Sequence, residues 1–187
     1  MEKLTTPNSQ MKGRWFYKGL GKVAYGHPES YSRAAAFFDE VGGTVEDWGC
    51  GCAVFRDYLK RCSYFGIEGS ENPFADRCDV DLETYRSDVD CILLRHVLDH
   101  NENWLRILQN AIASFRKRMV IVFFHDFGPE TRILFRHGSP KFPGVPDLQF
   151  KKEDFTLRCP GLIIREEWIP ADHNSPNNET MFYLQKP

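Results

Sequence analysis

The chain has 187 residues, 42% hydrophobic and 14% aromatic, enough for one well-buried domain and too few for two ordinary ones. Its 24 basic and 26 acidic side chains leave a formal charge of −2, which gives no support to a broad cationic surface for nucleic acid. No apolar run is long enough to cross a bilayer and the N-terminus lacks the apolar stretch of a signal peptide; six cysteines without a framework spacing suit a reduced, cytoplasmic protein.

Residues 1–28 read as an irregular arm, in which Gly13, Gly19, Gly21, Gly26 and Pro28 interrupt the run around Trp15, Phe16 and Tyr17. Ser30 can cap a helix over Tyr31 to Val41, which Gly42 and Gly43 then stop. A short strand through Val45, Glu46 and Asp47 enters the turn Trp48-Gly49-Cys50-Gly51. After it, Val54, Phe55, Tyr58, Leu59 and Cys62 recur as one face of a helix from Val54 to Cys62. The next strand, Phe65-Gly66-Ile67, ends on Glu68. Glycines let a ligand approach the backbone, and a carboxylate closing the neighbouring strand suits a ribose diol. Together these features describe a nucleotide-like pocket. Cys50 and Cys52 have no second Cys or His pair behind them, so no metal is expected there.

The stretch from Glu71 to Asp88 is short and polar, and Cys91 to Leu94 reads as a buried parallel strand. Asn101 or Asn103 can cap a helix carrying Leu105, Leu108, Ile112 and Phe115, with Arg116-Lys117-Arg118 at its C-terminal end. Met119 to Phe124 is a strand. Residues 125–150, rich in Gly, Pro and His, form a loop long enough to be a functional lid. Lys151 to Arg158 suits a short helix. The strands Leu162 to Trp168 and Thr180 to Leu184, joined by a turn-rich connector, make an antiparallel pair. Alternating strands and helices predict an open, mainly parallel sheet with ligands at the carboxyl ends of its strands. That edge collects Asp47, Glu68, Asp79, Arg95, His96 and His125.

Over residues 30–187 the chain resembles the class I S-adenosylmethionine-dependent methyltransferases of small-molecule type. Asp47-Trp48-Gly49-Cys50-Gly51 matches their first motif, Gly66-Ile67-Glu68-Gly69-Ser70 their second, and Asp79-Val80-Asp81-Leu82 falls in the region of the third. The stretch from Asp90 to His100 is similar to their fourth strand and hinge. Ala53 stands where a third glycine is usual, the span from Glu68 to Asp79 is short, and Glu46 and Asp47 lie together on a strand that is usually more apolar.

The resemblance implies an α/β three-layer sandwich whose seven-stranded, mainly parallel sheet ends on an antiparallel strand. It divides the chain into an arm or lid, 1–28, and a single domain, 29–187. It implies S-adenosylmethionine as cofactor, with Gly49 and Gly51 under its methionine part, Asp47 accepting from its ammonium, and Glu68 on the ribose. Asp79 and Val80 would face the adenine, and Arg95 and His96 the methionine end.

Such an enzyme needs its acceptor held in line with the sulfonium, and a hydroxyl acceptor benefits from a base. His100, oriented by Asp99 or Asn101, is the leading candidate, with His96 and His125 behind it; the alternative for His100 is a purely structural role in the hinge. There is no Asn/Asp-Pro-Pro-aromatic tetrapeptide after the fourth strand, and Cys159-Pro160 reverses the order that cytosine-methylating enzymes use. A small-molecule or sugar-like hydroxyl is therefore the expected acceptor. Two other classes remain open. A nicotinamide-dependent oxidoreductase would want a further glycine soon after Gly51, and none comes before Gly66. A non-catalytic binding module of the same fold is the other.

Overall fold

The computed structural model describes residues 26–138, 144–173 and 175–187. Nearly all of the expected arm and part of the expected lid, 139–143, lie outside the described residues. Helix α1 (Pro28–Asp39) starts earlier than Ser30 suggested, because Pro28 with its fixed φ occupies the first turn and His27 stands at the N-cap. Ser30 donates instead to the carbonyl of His27 at 2.9 Å. Strand β1 (Gly43–Trp48) pairs in parallel with β2 (Cys62–Ile67) on one side and β3 (Val89–Arg95) on the other.

The helix expected from Val54 to Cys62 is only a 3-10 segment, Val54–Tyr58. Leu59 turns extended at its end, and the carboxylate of Asp39 takes the amides of Lys60, Arg61 and Cys62 at 3.0, 2.8 and 3.1 Å. Those bonds fix the chain for entry into β2 before a further helical turn can form. A second 3-10 turn, Leu98–His100, follows β3 and leads to α2 (Trp104–Ser114), with Asn103 at the N-cap. Arg116, Lys117 and Arg118 do not end that helix. They lie in β4 (Phe115–Phe123), where Arg118 bonds Glu40 at 2.6 Å and Arg116 and Lys117 reach Asp90 at 3.2 Å each.

The expected lid is partly a docked hairpin, β5 (Arg132–Arg136) against β6 (Pro146–Gln149). Its second strand is held because Val145, Asp147, Leu148 and Phe150 are buried. Helix α3 (Lys152–Thr156) and the antiparallel strands β7 (Ile163–Ile169) and β8 (Glu179–Gln185) close the chain.

The sheet order is β2-β1-β3-β4-β8-β7, parallel through β4 and reversed at β8. Two apolar clusters cover its faces. Trp48, Ile92, Leu94, Leu108, Phe123, Phe155 and Phe182 form one, under α2 and α3; Tyr31, Phe38, Val45, Phe55, Leu93 and Tyr183 form the other, under α1. The α/β three-layer architecture holds, with six strands in the main sheet of the described residues instead of seven. Where a further strand would flank β2 there is a single parallel bridge, Ile67 to Arg77. The backbone from 71 to 88 is tied by side chains and by a few backbone bonds, the amides of Asp76 and Arg77 donating to the Gly66 carbonyl at 2.9 and 3.1 Å. Asp76 accepts from the Gly66 amide at 2.7 Å, and Asn110 donates to the carbonyls of Leu82 and Glu83 at 3.0 and 2.8 Å. Glu46 accounts for the unusual acid in β1: it accepts from Trp48 Nε1 at 2.9 Å, the Tyr85 hydroxyl at 3.2 Å and the Ser87 hydroxyl at 2.7 Å.

Candidate active site

The carboxyl ends of β1, β2 and β3 bring most of the expected residues together. At Gly49, φ is +73°, and a Cβ would lie 2.7 Å from Val97 Cγ2, so a side chain has neither the conformation nor the room. The amides of Gly49 and Cys50 both donate to the Ile67 carbonyl, at 2.8 and 3.0 Å, which fastens the turn to the end of β2. One residue later Glu68 grips it from the other side. Its carboxylate accepts from the amides of Gly51 at 3.0 Å and Gly69 at 2.8 Å. Asn72, a buried residue with no motif to advertise it, donates to the Gly51 carbonyl at 2.6 Å.

Asp47 is buried beneath this turn and accepts from the Tyr64 hydroxyl at 2.9 Å. Desolvation raises its carboxyl to about 7, against the opposing hydrogen bond from Tyr64 and the charge of Arg95. Asp79 is exposed in a left-handed conformation (φ 56°), beside the buried Val80, whose amide donates to the Glu68 carbonyl at 3.1 Å.

Arg95 and His96 leave β3 in different directions. Arg95 is turned inward and buried. It donates to Ser30 Oγ and the Tyr31 hydroxyl at 3.0 Å each, meets Glu179 Oε1 at 2.7 Å, and lies 4.0 Å over the Tyr31 ring. That makes it a clamp between α1 and β8. His96 has φ 56° and its Nε2 lies 2.9 Å from the same Glu179 oxygen. Burial and the neighbouring guanidinium push its imidazole down to about 3, so it is neutral. Burial would raise Glu179, but its bond with His96 and the charge of Arg95 outweigh that and hold it at about 2.

The expected helical alignment of His96 and His100 does not form, because the left-handed turn at His96 sends them apart. Both still flank the Phe124 ring, with centroids 5.1 and 5.0 Å away. Neither Asp99 nor Asn101 orients His100. Asp99 is fully buried with both carboxyl oxygens outside hydrogen-bonding geometry, and desolvation raises it far above the carboxylate range. Asn101 donates to the Val97 carbonyl at 2.6 Å. The partner of His100 is Asp147, whose Oδ1 lies 2.9 Å from its Nδ1; the Pro146 carbonyl is at 3.1 Å. His137 Nε2 reaches that same oxygen at 2.9 Å, and His125 Nε2 lies 3.6 Å from Oδ2. Burial would raise Asp147, and the imidazoles of His100, His125 and His137 around it override that, holding the carboxyl below its usual range.

Asp147, Glu179 and Asn72 were not foreseen from the sequence. For Asp147 the only signal was the histidine content of the loop around it. All six cysteines are free, Cys50 and Cys52 among them.

No protein-family profile matches the chain, and no curated protein matches it in sequence. Solved structures match its fold. The Burkholderia thailandensis 1,6-didemethyltoxoflavin-N1-methyltransferase, with 1,6-didemethyltoxoflavin and S-adenosylhomocysteine bound, superposes with a TM-score of 0.66 at 14% identity over 85% of this chain and 79% of that one. Magnesium protoporphyrin IX methyltransferase from Synechocystis PCC 6803, with SAH bound, gives 0.61 at 14% identity over 85% and 83%. The N-terminal domain of EvdMO1, in the presence of SAH and D-fucose, gives 0.62 at 14% identity over 94% and 91%. The chain has the Rossmann-like methyltransferase fold.

Proposed function

We propose that this protein transfers a methyl group from S-adenosylmethionine to a hydroxyl of a small molecule, sugar-like acceptors included. The observation that carries the reading is the seam between β1 and β2. There a glycine turn with no room for a side chain at Gly49 is gripped by Glu68 at Gly51, beside the buried Asp47. Glu68 accepts from the Gly51 and Gly69 amides through its two oxygens, which fixes its carboxylate at the turn where a ribose diol would meet it. Asp47, short of solvation, gains from a cationic ammonium beside it. Val80 and Asp79 border the adenine side, and neutral His96 faces the methionine end. The likeness to methyltransferases crystallised with SAH supports the same assignment.

The cofactor brings the electrophilic methyl group, and the chain's own residues hold and align the two partners. His100 takes the acceptor proton at Nε2. Asp147, bonded at Nδ1, fixes the ring with its proton on the far side from the acceptor. In this reading the β5–β6 hairpin borders the acceptor.

Calorimetric titration with S-adenosylhomocysteine tests the assignment. One saturable site is expected, weakened by about 1.5–3 kcal/mol in Glu68→Ala through the loss of charge-assisted bonds. Unchanged affinity in that variant removes Glu68 from the ribose, and tight binding of NAD in place of SAH overturns the whole reading.

A further inference from the structure

His100, His137 and Asp147 reach one point from three separate places: the 3-10 turn after β3, the end of β5, and β6. Their donor atoms all lie within 4.8 Å of one another. The closest approaches, 2.9 Å from Asp147 Oδ1 to each imidazole nitrogen, are a little shorter than the roughly 3–3.5 Å that separates ligands sharing a tetrahedral zinc. His125 adds a second, independent sign. Its Nε2 is buried, makes no hydrogen bond of normal length, and lies 3.6 Å from Asp147 Oδ2. A buried imidazole nitrogen with no partner is costly, and a metal ion is one of the few groups that satisfies several such nitrogens at once.

We propose that this cluster is a binding site for a divalent transition-metal ion. Its ligands are His100 Nδ1, His137 Nε2 and a carboxylate oxygen of Asp147, with His125 Nε2 lying 3.6 Å from that carboxylate's other oxygen. Two imidazoles and one carboxylate suit zinc or a neighbouring late first-row ion better than magnesium or calcium, which prefer all-oxygen shells. The site is braced: Asp147 pairs with Phe135 across the hairpin, and the Phe135 ring lies 5.2 Å from that of His137. Asp147 is itself almost fully buried, so its carboxylate is aimed into the cluster and not at solvent.

A consequence follows for the proposed reaction, and it rests on that reading. A neutral imidazole bound through Nδ1 carries its proton on Nε2 and has no lone pair left there to accept another. The cation and the base role of His100 therefore exclude each other, and a filled site is a silenced one.

The experiment uses tag-free, chelator-treated protein in equilibrium dialysis against Zn²⁺, with Co²⁺ absorption in the visible as a ligand-field signature and SAH calorimetry on the same samples. One equivalent of Zn²⁺ is expected, weakened at least tenfold in both His137→Gln and Asp147→Asn. SAH affinity is expected to stay within twofold in His137→Gln, a partly exposed position that tolerates the change. Absence of saturable binding, or equal binding in wild type and His137→Gln, overturns the site and leaves a hydrogen-bonded Asp–His network. If Asp147→Asn does not fold, His137→Gln decides alone. Zinc binding without SAH binding keeps the metal site and removes the methyltransferase reading; SAH binding without zinc does the reverse.

Discussion

At Gly49 a single methyl group does two kinds of damage. It forces a side chain into a left-handed backbone, and it meets Val97 Cγ2 at 2.7 Å. Gly49→Ala is expected to lose at least about 1 kcal/mol of stability in urea denaturation, with part returned by adding Val97→Ala. SAH affinity should fall in both variants. A neutral alanine at this position means that the turn relaxes easily and is no rigid cradle.

Asp47 makes a sharper, pH-dependent test. Its carboxyl is raised from 3.8 to about 7 in the folded chain. Its contribution to stability is therefore fully present below 3.8 and is lost as pH rises through about 7. An ammonium ligand prefers the ionised form, so its binding follows the opposite course. Affinity for S-adenosylmethionine should rise between about pH 5.5 and 7, and Asp47→Asn should flatten that slope. A slope that survives in Asp47→Asn assigns the titration elsewhere. His100→Gln is expected to lower turnover of any accepted hydroxyl by about a hundredfold while SAH affinity and melting temperature hold. Loss of stability with near-normal turnover would make His100 a hinge residue only.

Among the elements, α1, β3 and β8 are joined through the buried ion pair of Arg95 and Glu179. Glu179→Ala strands the guanidinium without its counter-charge and should cost about 3–5 kcal/mol in chemical denaturation. Arg95→Met added to Glu179→Ala should recover part of the loss. Glu179 is held below its ordinary 4.5, at about 2, so its contribution persists above pH 4.5 and is lost as pH falls toward 2. An acid titration of melting temperature in wild type and Glu179→Gln isolates it.

The elements that were legible in the sequence are those whose signals are local. The strand, glycine turn and closing acid from Val45 to Glu68 show themselves by alternation and by Gly, and α2 by its apolar spacing. What failed depended on distant partners. The apolar face from Val54 to Cys62 has helical spacing, but Asp39 captures the backbone ahead of β2. Arg116 to Arg118 look like the end of a helix until Asp90 and Glu40 are seen across from them. The same limit applied at the site. Asp99 and Asn101 were the partners suggested for His100 because they adjoin it in sequence, whereas Asp147 reaches it from a strand across the hairpin.

Over the whole molecule, the sheet ends at β2, and the segment beside that edge is fastened by side chains and a few backbone bonds at Gly66 and Glu68, with no strand ladder among the described residues. A strand in a ladder opens only with its neighbours; a segment pinned at Asp76, Asn72 and Asn110 can open by itself. If the adenine lies against Val80, this segment is the door by which the nucleoside enters and leaves, while Asp47, Glu68 and the glycine turn set how tightly it is held. Speed and strength of binding are then written in different residues. Stopped-flow measurement on Asp76→Ala should find SAH arriving and departing faster by similar factors, with the ratio of the two rates nearly unchanged. A change confined to departure would place the door elsewhere.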